Sequence, residues 1–274
     1  IAALSDGVSH ILDDPNCLDY FKAAIVTLPA ISVLESRMSP ADPVALFNAR
    51  LAFEAALARQ IHGHYQAALD PKKSVQLAGT AGGRALLNRL LALAVAAGDA
   101  KADDCAMAHV LDSNMTVSQG ALAAVNNRPT AARETVLSAF HDRWQDNALV
   151  LEKWFSFESM SCINGRIERL QELMQHPAFD PKNPNKLRVV LGAFMAGNPV
   201  RFYAEDGSGF EFIAGCLIDI DKRNPQLAAR MALPLTRMGA YSEQRQQRMR
   251  TVLKTVQAAA QSNDLSEVID KALV

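Results

Sequence analysis

The spacing of apolar residues is the feature that most limits what this chain can fold into. Apolar side chains recur every three or four positions along almost the whole sequence, and alanine is the commonest residue, at 45 of 274 positions. A repeat of 3.6 residues places side chains on one face of a helix, whereas a half-buried strand needs a repeat of two. The spacing therefore predicts an all-α protein of roughly a dozen helices.

Several helix starts can be placed from capping residues. The pairs Asp42-Pro43, Asn183-Pro184 and Asn224-Pro225 each put a capping side chain before a proline that fits the first helical turn. Capping boxes are also expected to begin at Thr116 and Asp264. Within the segment 41–69, one apolar stripe is predicted from Val44, Phe47, Leu51, Ala55 and Ala58. The Pro- and Gly-containing stretch 198–209 is predicted to be a long loop.

The connections between these helices are short and rich in Pro, Gly, Asn and Asp, which makes neighbouring helices antiparallel. Many of the helices are too rich in alanine to bury a broad face alone, so the pairs must stack on one another. This predicts an irregular superhelix of antiparallel helical hairpins, an α-solenoid similar to HEAT or armadillo arrays. No fixed sequence period is found, and we expect residues 1–274 to form a single domain.

Charge and hydropathy exclude some partners. With 28 Lys and Arg against 29 Asp and Glu the net charge is -1, so nothing favours a nucleic acid as partner. The longest apolar stretch, residues 90–97, is far shorter than the roughly 20 residues that cross a bilayer, so no membrane span is expected. Four widely separated cysteines without a CxxC motif favour reduced thiols and a cytoplasmic location: Cys17, Cys105, Cys162 and Cys216.

Local motifs for metal or nucleophile chemistry are weak. The HExxH zinc motif is absent, and His62 and His64 would point in different directions on a helix. Cys105 and His109 lie one turn apart and could form half a site, but a small buried Cys beside a surface His is the simpler interpretation. The glycine-containing stretch 79–84 lacks the strand and the Lys-Ser/Thr ending of a phosphate loop. The basic residues of segment 245–254 are interpreted as the solvated face of a helix.

The helix that begins after Asn224 is the most informative element. Its predicted core face consists of four apolar residues, Leu227, Met231, Leu235 and Met238. This leaves Gln226, Arg230 and Arg237 together on another face. A solvated face is the simpler explanation, but on the inner wall of a curved solenoid an Arg can bind a carboxylate.

Five longer segments of the sequence are recognisable as motifs of a known family. The segments are HDRWQDNALVLEKWFSFES at 141–159, FDPKNPNKLRVVLGAF at 179–194, GNPVRFYAEDGSGF at 197–210, DKRNPQLAARMALPL at 221–235 and YSEQRQQRMRTVL at 241–253. Together they resemble the C-terminal helical domain of the bacterial aminopeptidase N family, the alanyl-type zinc aminopeptidases of the gluzincin class. The resemblance extends over nearly the whole chain.

The resemblance implies a helical domain that lacks the catalytic domain of the enzyme. In this family the zinc ligands and the GAMEN motif lie in a separate catalytic domain, and neither HExxH nor GAMEN occurs here. The chain is thus expected to hold no cofactor, to be inactive alone, and to have as partners the catalytic domain of the same parent chain and its peptide substrates. It would close over that domain, enclose the active-site chamber and gate access to it.

Three residues of this sequence match family positions that face the chamber. Arg188 and Arg230 would offer hydrogen bonds to carbonyls or to the terminal carboxylate of the peptide, and Gln226 would border the pocket for the first substrate residue. Two alternatives from other classes stay open at this point. One is a free-standing helical scaffold that binds proteins through its concave face, and the other is a small helical enzyme that uses Cys105 and His109.

Overall fold

The computed structural model describes residues 2–163 and 167–274. They form two compact units, each built from α-helices. Unit 1 comprises Ile1–Pro29 and Asn48–Phe157, and unit 2 comprises Ala30–Phe47 and Glu158–Val274. The described residues contain no β-strand, although Ala41 and Tyr241 in unit 2 form an isolated parallel bridge. None of their helices is long and apolar enough to span a bilayer.

The first eleven helices, in chain order, are α1 Ala2–Asp13, α2 Asp19–Ile25, α3 Ile31–Glu35, α4 Pro43–Gln60, α5 His62–Ala68, α6 Pro71–Ala78, α7 Ala81–Ala97, α8 Ala100–Val110, α9 Met115–Val125, α10 Ala132–Trp144 and α11 Ala148–Met160. The remaining helices are α12 Ile167–Gln175, α13 Pro184–Leu187, α14 Ala193–Gly197, α15 Pro199–Phe202, α16 Ser208–Asp221, α17 Pro225–Thr236, α18 Glu243–Ala259 and α19 Asn263–Leu273. A π-helical turn at Arg188–Gly192 joins α13 to α14, and a 3-10 turn at Met238–Ala240 follows α17.

Helix α7 is the centre of unit 1 and packs against α2, α5, α6 and α9. It begins where the Thr80 hydroxyl accepts a hydrogen bond from the Gly83 amide, and it ends at Gly98, whose φ of 75° favours glycine. A Cβ at Gly83 would collide with the carbonyl of Leu77, so this close approach of α6 to α7 requires glycine. The glycine-containing stretch 79–84 therefore starts a helix.

Unit 2 has an aromatic core. The rings of Phe194, Phe202, Tyr203 and Phe210 meet edge to face or nearly so, and the Tyr203 and Tyr241 hydroxyls are 2.7 Å apart. Around it, α16 packs against α17 and α18, and α17 packs against α19. The segment before α4 joins this unit through the Ala41 amide, which donates to the carbonyl of Ala240.

Several sequence predictions of helix boundaries are confirmed and others are wrong. Asp42 and Asn183 cap α4 and α13 as predicted. The stripe predicted from Val44 to Ala58 lies within one helix, α4, and the backbone leaves helical geometry only afterwards, at Ile61. The predicted capping boxes are displaced, since Asn114 and Ser262 lie two residues earlier and accept the first-turn amide bonds.

The predicted loop 198–209 is wrong for about half of its length, because residues 199–202 and 208–209 are helical. Asn198 is fully buried, and its side chain accepts from the Arg201 amide and donates to the carbonyl of Ser161. These bonds start α15, and α16 begins at Ser208 after Gly207, whose φ is 83°. The irregular part is thus reduced to a few residues around 203–207. That residues 1–274 form one domain stays a prediction.

Candidate functional site

Helix α17 holds two of the three candidate residues. It starts where the Asn224 side chain accepts a hydrogen bond from the Leu227 amide, 3.1 Å away, with Pro225 in the first turn. The predicted core face is confirmed, because all four of its members are buried: Leu227, Met231, Leu235 and Met238. Met238 lies just beyond the helix, in the 3-10 turn.

Gln226 and Arg230 are both exposed and lie one turn apart on α17, so they share one helix face as predicted. That Arg237 joins them stays a prediction. The helix ends at Thr236, shortly after Pro234, and Arg237 follows as its C-cap residue. Arg237 lies close enough to Glu35 to oppose the increase in pKa that burial causes in that carboxyl group.

Arg188, the third candidate residue, is exposed at the first position of the π-helical turn. Its Nη1 donates to the Asn185 side-chain oxygen at 3.0 Å, so the guanidinium bonds within its own segment. A π-helical turn inserts an extra residue per turn and often occurs at functional sites. Nothing in the residue spacing of 184–197 signals this turn.

A cavity of about 380 Å³ lies between these segments of unit 2. It is lined by Pro181, Lys182, Leu187, Ile220, Arg223, Asn224 and Leu227. Leu187 precedes Arg188, and Leu227 follows Gln226, so two of the three candidate residues are sequence neighbours of its wall. Arg230 lies one turn further along α17. The sequence analysis missed Lys182 and Arg223, because an exposed cation in a turn has no distinguishing pattern.

Among the described residues, neither cation on the cavity wall has a carboxylate partner. Lys182 and Arg223 are exposed, and neither side chain forms an ion pair within the described residues. The Arg223 Nε donates only to the backbone carbonyl of Asp219, at 3.3 Å. The carboxylate of Asp219 is engaged by Lys222 at 3.0 Å. The cavity therefore combines an apolar floor with positive charge at its edge.

The pair Cys105 and His109 does not form a site with each other in this structure. The Cys105 thiol bonds to the carbonyl of Leu69, and burial raises its pKa, which disfavours a thiolate nucleophile. The prediction of a surface His is wrong, because His109 is buried and its Nε2 lies 2.8 Å from the Ser74 hydroxyl. Burial lowers the pKa of His109, and Asp112 partly opposes this.

The other sequence candidates also have structural partners. His64 lies 3.1 Å from Asp13, while His62 is largely exposed. The interpretation of 245–254 as a wholly solvated face is wrong for two residues, because Arg245 lies against Tyr203 and Arg248 donates to the carbonyl of Asp206. Within residues 2–163 and 167–274, no three His, Cys, Asp or Glu side chains are grouped so that they could hold a metal ion.

Comparison with known proteins identifies the family. The family described as "Domain of unknown function (DUF3458_C) ARM repeats" matches residues 1–274. Aminopeptidase N of Escherichia coli is 32% identical over 277 residues, which cover 98% of this chain and 32% of the relative. Aminopeptidase N of Caulobacter vibrioides is 32% identical over 280 residues, with the same coverage of 98% and 32%.

A solved structure agrees with this. The crystal structure of Legionella pneumophila aminopeptidase A in complex with aspartic acid superposes with a TM-score of 0.87 at 25% identity, covering 98% of this chain and 33% of that one. The chain thus spans about a third of the length of the relatives it matches. The ARM-repeat description confirms the predicted all-α, armadillo-like fold class. The chain belongs to the family of C-terminal ARM-repeat domains of aminopeptidase N.

Proposed function

We propose that this chain is the C-terminal capping domain of a zinc aminopeptidase, in which it encloses the active-site chamber, gates access and contacts the downstream part of the peptide. The observation that carries the proposal is the match to aminopeptidase N over 98% of the chain, at about a third of the length of those enzymes. The chain itself would hold and position peptide but would not hydrolyse it.

The exposure of Arg188, Gln226 and Arg230 supports a role in substrate contact. All three are exposed, and neither arginine forms an ion pair within the described residues. An arginine without a protein partner is available for a charge-assisted hydrogen bond to a peptide carbonyl or carboxylate. Gln226 is proposed to border the pocket for the first substrate residue.

Exposed apolar side chains on unit 1 support the proposal that a partner covers them. Large apolar and aromatic side chains are exposed on α1, on α2 and just before α2: Leu4, Leu18, Tyr20, Phe21 and Ile25. Leu18 is 76% exposed and Tyr20 62%. Phe21 and Ile25 lie one turn apart on α2 and so share one helix face, and an exposed apolar face is typical of an interface. We infer that the catalytic part of the same parent chain is the partner.

The zinc ion belongs to the parent in this proposal. The described residues offer no group of metal ligands, so the residues that hold zinc would lie in the catalytic part. A cytoplasmic location is also proposed, supported by four free cysteines. A free-standing scaffold that binds proteins is the alternative, and the intact mass of the native protein distinguishes the two.

The substrate role is tested in the full-length parent with substrates of different length. Arg188→Ala and Arg230→Ala each remove one charge-assisted hydrogen bond, so kcat/KM for tri- and tetrapeptides should fall by up to roughly a hundredfold. An amino-acid anilide should keep nearly its full rate, because it has little beyond the scissile bond. Gln226→Ala should instead change the preference among first-residue side chains.

A matched control is Arg250→Ala on α18, which removes an equal charge elsewhere in unit 2 and should leave kcat/KM unchanged. Equal losses on anilide and tetrapeptide would show that the arginines act on stability or on the catalytic part rather than on the downstream substrate. Unchanged kcat/KM on peptides of every length would show that all three are ordinary solvated residues.

A further inference from the structure

The cavity in unit 2 has the chemistry of a small-ligand site. Its floor consists of Leu187, Ile220 and Leu227, and all three residues are almost fully buried. Its volume of about 380 Å³ lies within the range of small-molecule pockets. An apolar floor with a few polar groups at the edge is the usual composition of such pockets.

The charge at the edge of the cavity is positive, and no carboxylate of residues 2–163 and 167–274 pairs with it. Lys182 and Arg223 line it, and no Asp or Glu does. The nearby carboxylates have other roles. Asp180 accepts from the backbone amide of Lys182, at 2.8 Å, and Asp219 pairs with Lys222. Asp221 is buried and accepts from the backbone amides of residues 261 and 262.

The start of α17 adds donors on the same wall. The Asn224 side-chain oxygen is used to cap the helix, which leaves its amide nitrogen available at the cavity. The Ala228 amide donates to the backbone carbonyl of Asn224, and the Leu227 amide donates to the side chain of Asn224. The cap therefore does not satisfy the first-turn amide of Gln226. The helix dipole places partial positive charge at this end.

We propose that this cavity binds a small apolar carboxylate, with its hydrocarbon part on Leu187, Ile220 and Leu227 and its carboxylate at Lys182 and Arg223. The ligand class is an apolar amino acid with its carboxylate free, either as a single residue or as the last residue of a peptide. The inference goes beyond the proposed function, because it needs neither the catalytic part nor a free substrate amine.

The test titrates the 274-residue chain by calorimetry with N-acetyl-leucine, its carboxamide and N-acetyl-Ala-Ala-Leu. The blocked amine removes the group that an aminopeptidase recognises, so failure here leaves the proposed function untouched. We expect millimolar binding of the acid and about tenfold weaker binding of the carboxamide. Equal affinity for both acids would identify a single-residue site, and tighter binding of the tripeptide a site for the end of a peptide.

Variants locate the binding. Lys182→Gln and Arg223→Gln should each weaken binding of the acid about threefold, and the double variant about tenfold, the same loss as for the carboxamide, because exposed charges contribute modestly and the two cations share one carboxylate. Lys222→Gln is the matched control, because Lys222 is next in sequence to Arg223 but does not line the cavity. Equal binding of acid and carboxamide, unchanged affinity in the double variant, or no binding at millimolar ligand would overturn the proposal.

Discussion

Arg89 and Arg128 of unit 1 differ from Arg188, Arg223 and Arg230 of unit 2 in what their guanidinium groups bind. In unit 1, Arg89 and Arg128 both pair with Glu54, at 3.0 and 2.8 Å, and all three side chains are largely buried. Each arginine also donates to a backbone carbonyl of the same unit. Burial lowers the pKa of Arg128, while Glu54 opposes that change. These arginines hold helices together.

In unit 2, Arg188, Arg223 and Arg230 are exposed, and none of them forms an ion pair in the part of the chain that the structure describes. Their guanidinium groups remain available for a ligand. The comparison shows that an arginine is a candidate for binding where the fold does not need its charge. It also predicts that removing the Glu54 carboxylate lowers stability, whereas replacing the exposed arginines of unit 2 affects ligand binding.

The largest effect is expected for Glu54→Gln. The change leaves two largely buried guanidinium groups without a counter-ion, so the free energy of unfolding should fall by about 2–3 kcal/mol. Urea unfolding followed by circular dichroism measures it. Glu267→Gln, which breaks an exposed pair with Lys271 on α19, is the control and should leave the free energy of unfolding nearly unchanged. Similar losses in both variants would contradict the contrast between buried and exposed charges.

A smaller effect on stability is expected from His109, also in unit 1, and it should depend on pH. His109 is buried beside Ser74, and its Nδ1 has no hydrogen-bond partner among the described residues, so protonation is disfavoured in the folded state. Its pKa is lowered from the ordinary value of 6.5, and the unfolded chain therefore binds a proton at higher pH than the folded chain does. The contribution of neutral His109 to the free energy of unfolding is fully present above about pH 6.5 and is lost as the pH falls through the folded-state pKa.

The variant His109→Gln isolates this contribution, because glutamine does not titrate. The difference in urea midpoint between wild type and variant should shrink as the pH is lowered below about 6.5. A difference that is constant over that range would mean that protonation of His109 does not contribute to the acid dependence.

The smallest effect is expected for Arg188→Ala and Arg230→Ala in unit 2. Both side chains are exposed and neither forms an ion pair within the described residues, so the free energy of unfolding should change by less than about 0.5 kcal/mol. Thermal or urea unfolding of the 274-residue chain measures it. A loss as large as that of Glu54→Gln would show that these arginines support the fold, and the comparison between the units would then fail.

Much of the fold could be predicted from residue spacing and capping chemistry. The all-α class follows from the repeat of apolar residues, and the starts of α4, α13 and α17 follow from Asx-Pro pairs. The core face of α17 was also predictable, because a helix with one apolar stripe buries that stripe. Helix ends were less predictable, as Arg237 illustrates, since they depend on neighbouring contacts as well as on local sequence.

The candidate site was predictable only in part. Gln226 and Arg230 share a face because they are one helical turn apart, which is a property of the sequence. The cavity beside them, with its cations Lys182 and Arg223, arises where separate segments pack together. Local spacing has no information about such contacts, because the residues that form them are tens of positions apart.

The sequence by itself determined that this chain is helical, where several helices begin, and which residues of α17 face the core, because these depend on bonds and contacts between residues a few positions apart. Only the tertiary structure decided which charged residues are buried and which remain exposed. Arg128 and Arg230 are both polar positions on or next to helices, yet one is enclosed with Glu54 and the other is exposed to solvent. The physical reason is that burial depends on what packs against a helix, and distant parts of the chain supply that packing.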